Sequence, residues 1–181
     1  KNIISNALAG VGGSLKPKLR SDLEIADEMV DRLASIISDF LDISKIEAGK
    51  IHLDLKHATM QSIVTNVIDG FKVLIDDKNI ELNVSLPEEL LTVHVDTEKI
   101  ARVLTNLIEN AIKFLPSTSG QITVRIKDLD GEVGVDVEDN GPGIQGDDIS
   151  KVFNRFVQVE KHVGPGKHGL GLGLAISKEL L

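Results

Sequence analysis

Apolar residues fall at Leu19, Leu23, Ala26, Val30, Leu33, Ile37 and Phe40, in alternating steps of four and three. This is the a/d seam of a heptad repeat, and it predicts one long helix built to pack on other helices. Ile25, Met29, Ile36 and Leu41 widen the stripe beyond a two-stranded seam and favour a bundle. Pro17 suits the first helical turn and Gly49 the C-terminal cap. Residues 2–8 read as the tail of another helix, and Gly10, Gly12 and Gly13 break it into a connection. One long helix with a stub cannot bury such a stripe alone. The expectation is a homodimer whose N-terminal helices form a four-helix bundle.

A chain of 181 residues has room for such a helical element attached to one further domain. Hydrophobic content of 41% against 27% charged residues is the balance of a folding globular chain. A net charge of -8 without a basic run excludes nucleic acid as a main partner. The absence of cysteine excludes a disulfide framework and a thiolate metal site, and fits a reducing cytoplasm. Neither a signal peptide nor an apolar run long enough to span a bilayer is present, so any membrane anchor is expected outside these residues.

After Gly49 the pattern turns to mixed α and β. Ile51, Leu53 and Leu55 alternate as in a strand, and Ile63, Val64, Val67, Ile68, Phe71 and Leu74 follow at helical spacing. Short strands are expected over residues 80–86 and 92–95, then a helix over residues 97–114 capped by Asp96. Ile122, Val124 and Ile126, then Val133, Val135 and Val137, read as two strands joined by a tight Asp130-Gly131 turn. Residues 141–173 are glycine-rich with a short helix expected over residues 147–156, and a last helix is expected from Leu172 to the final residue. Helices on one face of a mixed sheet make the fold class α+β.

Three constellations carry chemistry. On the helix over residues 97–114, Arg102, Asn106, Asn110 and Lys113 form a polar stripe opposite the apolar face. A solvated surface is the plain reading, but Asn is a poor helix former, and two of them four apart in mid-helix call for a reason. An amide oxygen for a magnesium ion and a lysine for phosphates would supply one. Asp139 extends the apolar row of Val133, Val135 and Val137, where it either caps the Asn140-Gly141 turn or accepts from a purine amine. Gly141, Gly143 and Gly146, with Gly169, Gly171 and Gly173, allow close approach of backbone to phosphate, the last run opening a helix whose amides favour anions. A Rossmann fingerprint fails because no parallel strand or acidic partner follows, and a Walker A loop is absent. Phe114, Phe153 and Phe156 flank these motifs, where each would cover a base or, more simply, pack in the core. His162 and His168 have no third ligand at zinc spacing.

The motifs resemble those of sensor histidine kinases in order and spacing. Asp-Ile-Ser-Lys-Ile-Glu-Ala-Gly-Lys at 42–50 is similar to the end of the dimerisation hairpin, and Asn-Leu-Ile-Glu-Asn-Ala-Ile-Lys-Phe at 106–114 to the N box. Asp-Asn-Gly-Pro-Gly-Ile at 139–144 resembles the G1 box, Val-Phe-Asn-Arg-Phe at 152–156 the F box, and Gly-Leu-Gly-Leu-Ala-Ile at 171–176 the G2 box. The resemblance implies a partial dimerisation hairpin over residues 1–49. It implies an α/β sandwich of Bergerat ATPase type over residues 50–181, shared with type II topoisomerases and mismatch-repair ATPases and ending before its last strands. It implies ATP and Mg2+ as cofactors, with Asn110 on magnesium, Lys113 on phosphate, Phe114 near the adenosine and Asp139 on the adenine amine. Gly141, Gly143, Ile144, Phe153, Phe156, Gly169, Gly171, Leu172 and Gly173 would line the nucleotide site, with residues 144–170 as its mobile lid.

Hydrolases of that superfamily carry a catalytic Glu where this chain has Asn106, so the resemblance implies phosphoryl transfer to histidine rather than hydrolysis, with Asn106, Asn110 and Lys113 as the catalytic set. The partner implied is the receiver domain of a response regulator, and the place of action the cytoplasm, free or beneath a membrane-anchored sensor. Two departures stand out. Leu170 occupies a position where the family carries a small polar residue, and no histidine here has the acceptor pattern, which is expected about ten positions before Lys1. A degenerate kinase serving as a nucleotide-binding docking module is the alternative these departures leave open.

Overall fold

A computed structural model describes residues 2–11, 13–158 and 170–181. The chain divides into two compact units, Lys1–Lys50 and Ile51–Leu181. No helix among the described residues is long and apolar enough to cross a membrane.

In the first unit, α1 (Asn2–Leu8) packs on α2 (Pro17–Glu47). Pro17 opens α2, and Gly49, at φ 61°, closes it. The Gly49 N–H donates to the Ile46 carbonyl and the Lys50 N–H to that of Lys45, the paired bonds of a Schellman end. At 31 residues, α2 is about 47 Å long. Its heptad stripe faces outward: Met29, Leu33, Ile37, Phe40 and Leu41 are each more than half exposed.

The second unit runs β1 (Lys56–Thr59), α3 (Met60–Asp77), β2 (Glu81–Ser85), β3 (Thr92–Val95), α4 (Thr97–Phe114), β4 (Gln121–Asp128), β5 (Val133–Asp139), α5 (Gly146–Ile149) and α6 (Gly173–Leu180). One sheet has the order β2-β4-β5, with β2 parallel and β5 antiparallel to β4. The inward row Ile122, Val124 and Ile126 of β4 is buried under Ile63, Val64, Val67 and Ile68 of α3 and Leu104, Ile108, Ala111 and Ile112 of α4. On the outer face Arg125 pairs with Glu138 at 2.6 Å and Lys127 pairs with Asp136. The β4–β5 hairpin turns at Asp130 (φ 57°) and Gly131 (φ 103°), both left-handed as a two-residue turn of matching twist requires. β1 and β3 form a separate two-stranded antiparallel sheet.

Two expected elements differ. The alternation at Ile51, Leu53 and Leu55 is not a strand; the strand begins at Lys56, where residues 56–59 pair with residues 95–92, and Leu53 and Leu55 are about half exposed. The helix expected over residues 147–156 is confined to Gly146–Ile149, and turns follow it.

Candidate nucleotide site

α4 carries the first half of the site, and its start is firmly fixed. Asp96 Oδ1 accepts from the N–H groups of Glu98 and Lys99, both at 3.1 Å, and Oδ2 from that of Asp54 at 3.0 Å. Burial pushes the Asp96 pKa up, but the N–H donors of Asp54, Lys99 and Glu98 and the charge of Lys99 outweigh it and hold the carboxyl below its ordinary range. From that cap the apolar face of α4 enters the core. Arg102, Asn106, Asn110 and Lys113 are half-buried along one edge, so the stripe is no simple solvated surface.

Asn106 joins α4 to α6. Its Nδ2 donates to the Gly173 carbonyl at 3.2 Å and to Ser177 Oγ at 3.1 Å. Gly173 lies close enough that a Cβ there would touch the Asn106 amide at 3.5 Å. One turn on, Asn110 presents an amide to which no described residue is hydrogen bonded. At the last turn Lys113 Nζ stands 5.0 Å from the centroid of the Phe114 ring, a cation–π distance.

The end of β5 meets the end of α4. A Cβ at Gly141 would lie 2.9 Å from the Phe114 carbonyl oxygen and 2.6 Å from Asp139 Oδ1, so only glycine permits this approach. Asp139 Oδ1 accepts from the Gly141 N–H at 2.8 Å, the turn-capping alternative raised by the sequence. Asp139 is exposed, although Val133, Val135 and Val137 of its row pack on the core. Asn140, which sequence reasoning passed over, secures the turn: Oδ1 accepts from the Gln121 N–H and Nδ2 donates to the Ser119 carbonyl, both at 2.8 Å. Its only sequence signal is its place between Asp139 and a required glycine.

The remaining motifs join at their backbones. The Phe156 N–H donates to the Gly171 carbonyl at 3.0 Å, with Phe156 and Gly171 both left-handed at φ 62° and 69°. A Cβ at Gly171 would stand 2.5 Å from the Val157 carbonyl oxygen. Leu172 is buried at the start of α6, whereas Phe153 and Phe156 are 41% and 67% exposed and so do not pack in the core. Ile144 is exposed, Gly143 turns at φ 69°, and Gly169, His162 and His168 lie outside the described residues. Asn106, Asn110, Phe114, Asp139, Gly141, Leu172 and Gly173 are thus gathered on and around α4, and Phe156 with Gly171 borders α6.

Residues 95–181 match the histidine kinase-, DNA gyrase B-, and HSP90-like ATPases. Over 165 residues, 91% of the chain, it is 34% identical to the sensor histidine kinase MtrB of Mycolicibacterium paratuberculosis, of which it spans 29%. Residues 95–181 thus form a domain of this ATPase family, and the chain's homologues are sensor histidine kinases. This family's folds are also its structural neighbours: full-length ShkA, solved in complex with AMPPNP, superposes over 98% of this chain and 36% of its own with a TM-score of 0.78 and 28% identity. The histidine kinase ThkA, solved with the response regulator TrrA, matches over 86% of this chain and 47% of its own, with a TM-score of 0.65 and 23% identity, and shares the fold. The chain spans less than a third of the length of its curated relatives.

Proposed function

We propose that this chain is the catalytic portion of a two-component sensor kinase, binding ATP with Mg2+ and presenting the γ-phosphate to a histidine on a dimerisation helix, for relay to a receiver domain. The observation that carries this is the junction of α4 with the end of β5: the Gly141 backbone, against the Phe114 carbonyl, sets the Asp139 carboxylate beside the helix that bears Asn110 and Lys113. These groups suit the ligand. The Asn110 amide oxygen is a hard donor for magnesium, the Lys113 ammonium a counter-charge for phosphates, and the Asp139 carboxylate an acceptor for the adenine amine. Magnesium, when bound, neutralises phosphate charge during transfer.

Asn106 supports transfer over hydrolysis. Its Nδ2 donates to two oxygens, the Gly173 carbonyl and Ser177 Oγ. A carboxylate at that position would face the carbonyl without a proton to give, and the amide cannot take a proton from water. Asn106 therefore acts as a positioning residue that docks α6 on α4.

The exposed stripe of α2 supports a symmetric dimer, the relatives' naming as sensor kinases supports a receiver domain as partner, and the need for ATP favours the cytoplasm. Calorimetry with ATP and magnesium tests the site. Asn110→Ala removes the metal's amide ligand, and Asp139→Asn reverses part of the hydrogen-bonding pattern at adenine. A lost hydrogen bond to a charged group is worth roughly 1.5–3 kcal/mol, so Asp139→Asn should weaken ATP by about tenfold or more. GTP should bind poorly, because guanine presents a carbonyl where adenine presents its amine. Unchanged affinity in both variants would refute the site.

A further inference from the structure

The β1–β3 sheet is small, and one feature of it serves neither the core nor the nucleotide site. His57 and His94 are directly opposite in the register, and their rings stack with centroids 4.7 Å apart and planes 25° from parallel. Both are exposed, on the face away from Ala58, Val93 and Val95, which pack on the core. The core would be served as well by any polar pair on that outer face. Two imidazoles brought together in water by a fixed backbone register are a preformed chelate.

We propose that His57 and His94 form a bidentate site for a late first-row divalent transition ion, Cu2+, Ni2+ or Zn2+. A metal–imidazole bond of about 2.0–2.1 Å lets one ion span nitrogens up to about 4 Å apart, and rotation of the two exposed rings about χ1 and χ2 would turn a nitrogen of each toward a shared ion. Among the described residues no three imidazole or carboxylate groups converge, so water completes the sphere and the site stays open. Hard ions that want oxygen are disfavoured, and Cu2+ ranks first by the usual stability order. The net charge of -8 adds a general attraction for cations. Because β1 and β3, among the described residues, pair only with each other, the ion would clip residues 56–59 to residues 92–95, just before Asp96 and α4.

The test uses the full chain with Cu2+ and Zn2+ as probes. Calorimetry should find one ion per chain bound through this pair. His57→Asn and His94→Asn should each weaken it by at least roughly the 10–100-fold that loss of an outer-shell partner alone brings. His52→Gln and the double variant His162→Gln/His168→Gln should leave this binding unchanged. Electron paramagnetic resonance of the Cu2+ form should show coupling to two imidazole nitrogens, falling to one in either single variant, with circular dichroism unchanged at these exposed positions. Equal binding in the native chain and in both single variants, or loss only in the His162/His168 variant, would overturn the proposal.

Discussion

A methyl group at position 171 would meet two obstacles at once: the Val157 carbonyl oxygen 2.5 Å away, and a backbone at φ 69°. Position 143 has the same φ and open space around it. Gly143→Ala should therefore lose only the conformational term, about 1–2 kcal/mol, while Gly171→Ala should lose more, because backbone cannot move aside as a side-chain end can. Urea unfolding of the two variants side by side measures the difference. Asp96 offers a test in pH. Its folded pKa lies below the value of about 3.9 in an unfolded chain, so its stabilisation is complete above that range and is lost as pH falls through the depressed value. Asp96→Ala should cost about 0.5–2 kcal/mol or somewhat more at neutral pH, since the Asp54 N–H is orphaned together with the cap. In acid strong enough to protonate Asp96 in the native chain, the gap between the two proteins should close; a gap independent of pH would show that the carboxylate's charge is not what matters.

At the scale of elements, α2 is the one whose chemistry points away from its own chain. Leu33 and Ile37 are 57% and 51% exposed within a continuous apolar row. Light scattering should find a dimer at micromolar concentration, and Leu33→Glu, which places a charge in the seam, should give monomers or aggregates. Elements whose signal is local were fully legible in the sequence. The bounds of α4 follow from the Asp96 cap and an apolar face of unbroken period, and the Asp130-Gly131 turn follows from the left-handed backbone it demands. Elements set by distant partners were not. Ile51, Leu53 and Leu55 alternate as well as any strand, yet the ladder with Thr92–Val95 starts one residue after them. The helix expected to reach Phe156 stops at Ile149, and Phe156 is instead left-handed and bonded to Gly171, a partner fifteen residues on. The candidate site divided in the same way: the half-buried edge of Asn106 and Asn110 was visible by helical period, whereas the exposure of Asp139 at the end of its row and the clamp of Asn140 on Gln121 and Ser119 depend on a loop that sequence spacing cannot place.

For the whole molecule, the proposed activity predicts that nucleotide binding and phosphoryl transfer can be separated. The histidines are at 52, 57, 94, 162 and 168, and none falls on α1 or α2. Transfer needs a nucleophile held in line with the γ-phosphate, since positioning supplies most of the rate. This chain alone should bind ATP and incorporate no acid-labile phosphate. Mixed with a longer chain that carries the first helix and its histidine, it should label that partner if the reaction crosses between subunits. Label on this chain by itself would place the acceptor elsewhere, and no label even on the longer chain would favour a docking module without kinase activity.

The bond from Phe156 to the Gly171 carbonyl, with the tight backbone crossing at Val157, has an evolutionary meaning as well. It fixes the backbone at position 156 against that at position 171, so each depends on the other for its left-handed conformation. Positions 156, 157 and 171 are therefore constrained as one unit, and a change at any of them asks for an accommodating change in the backbone of the others.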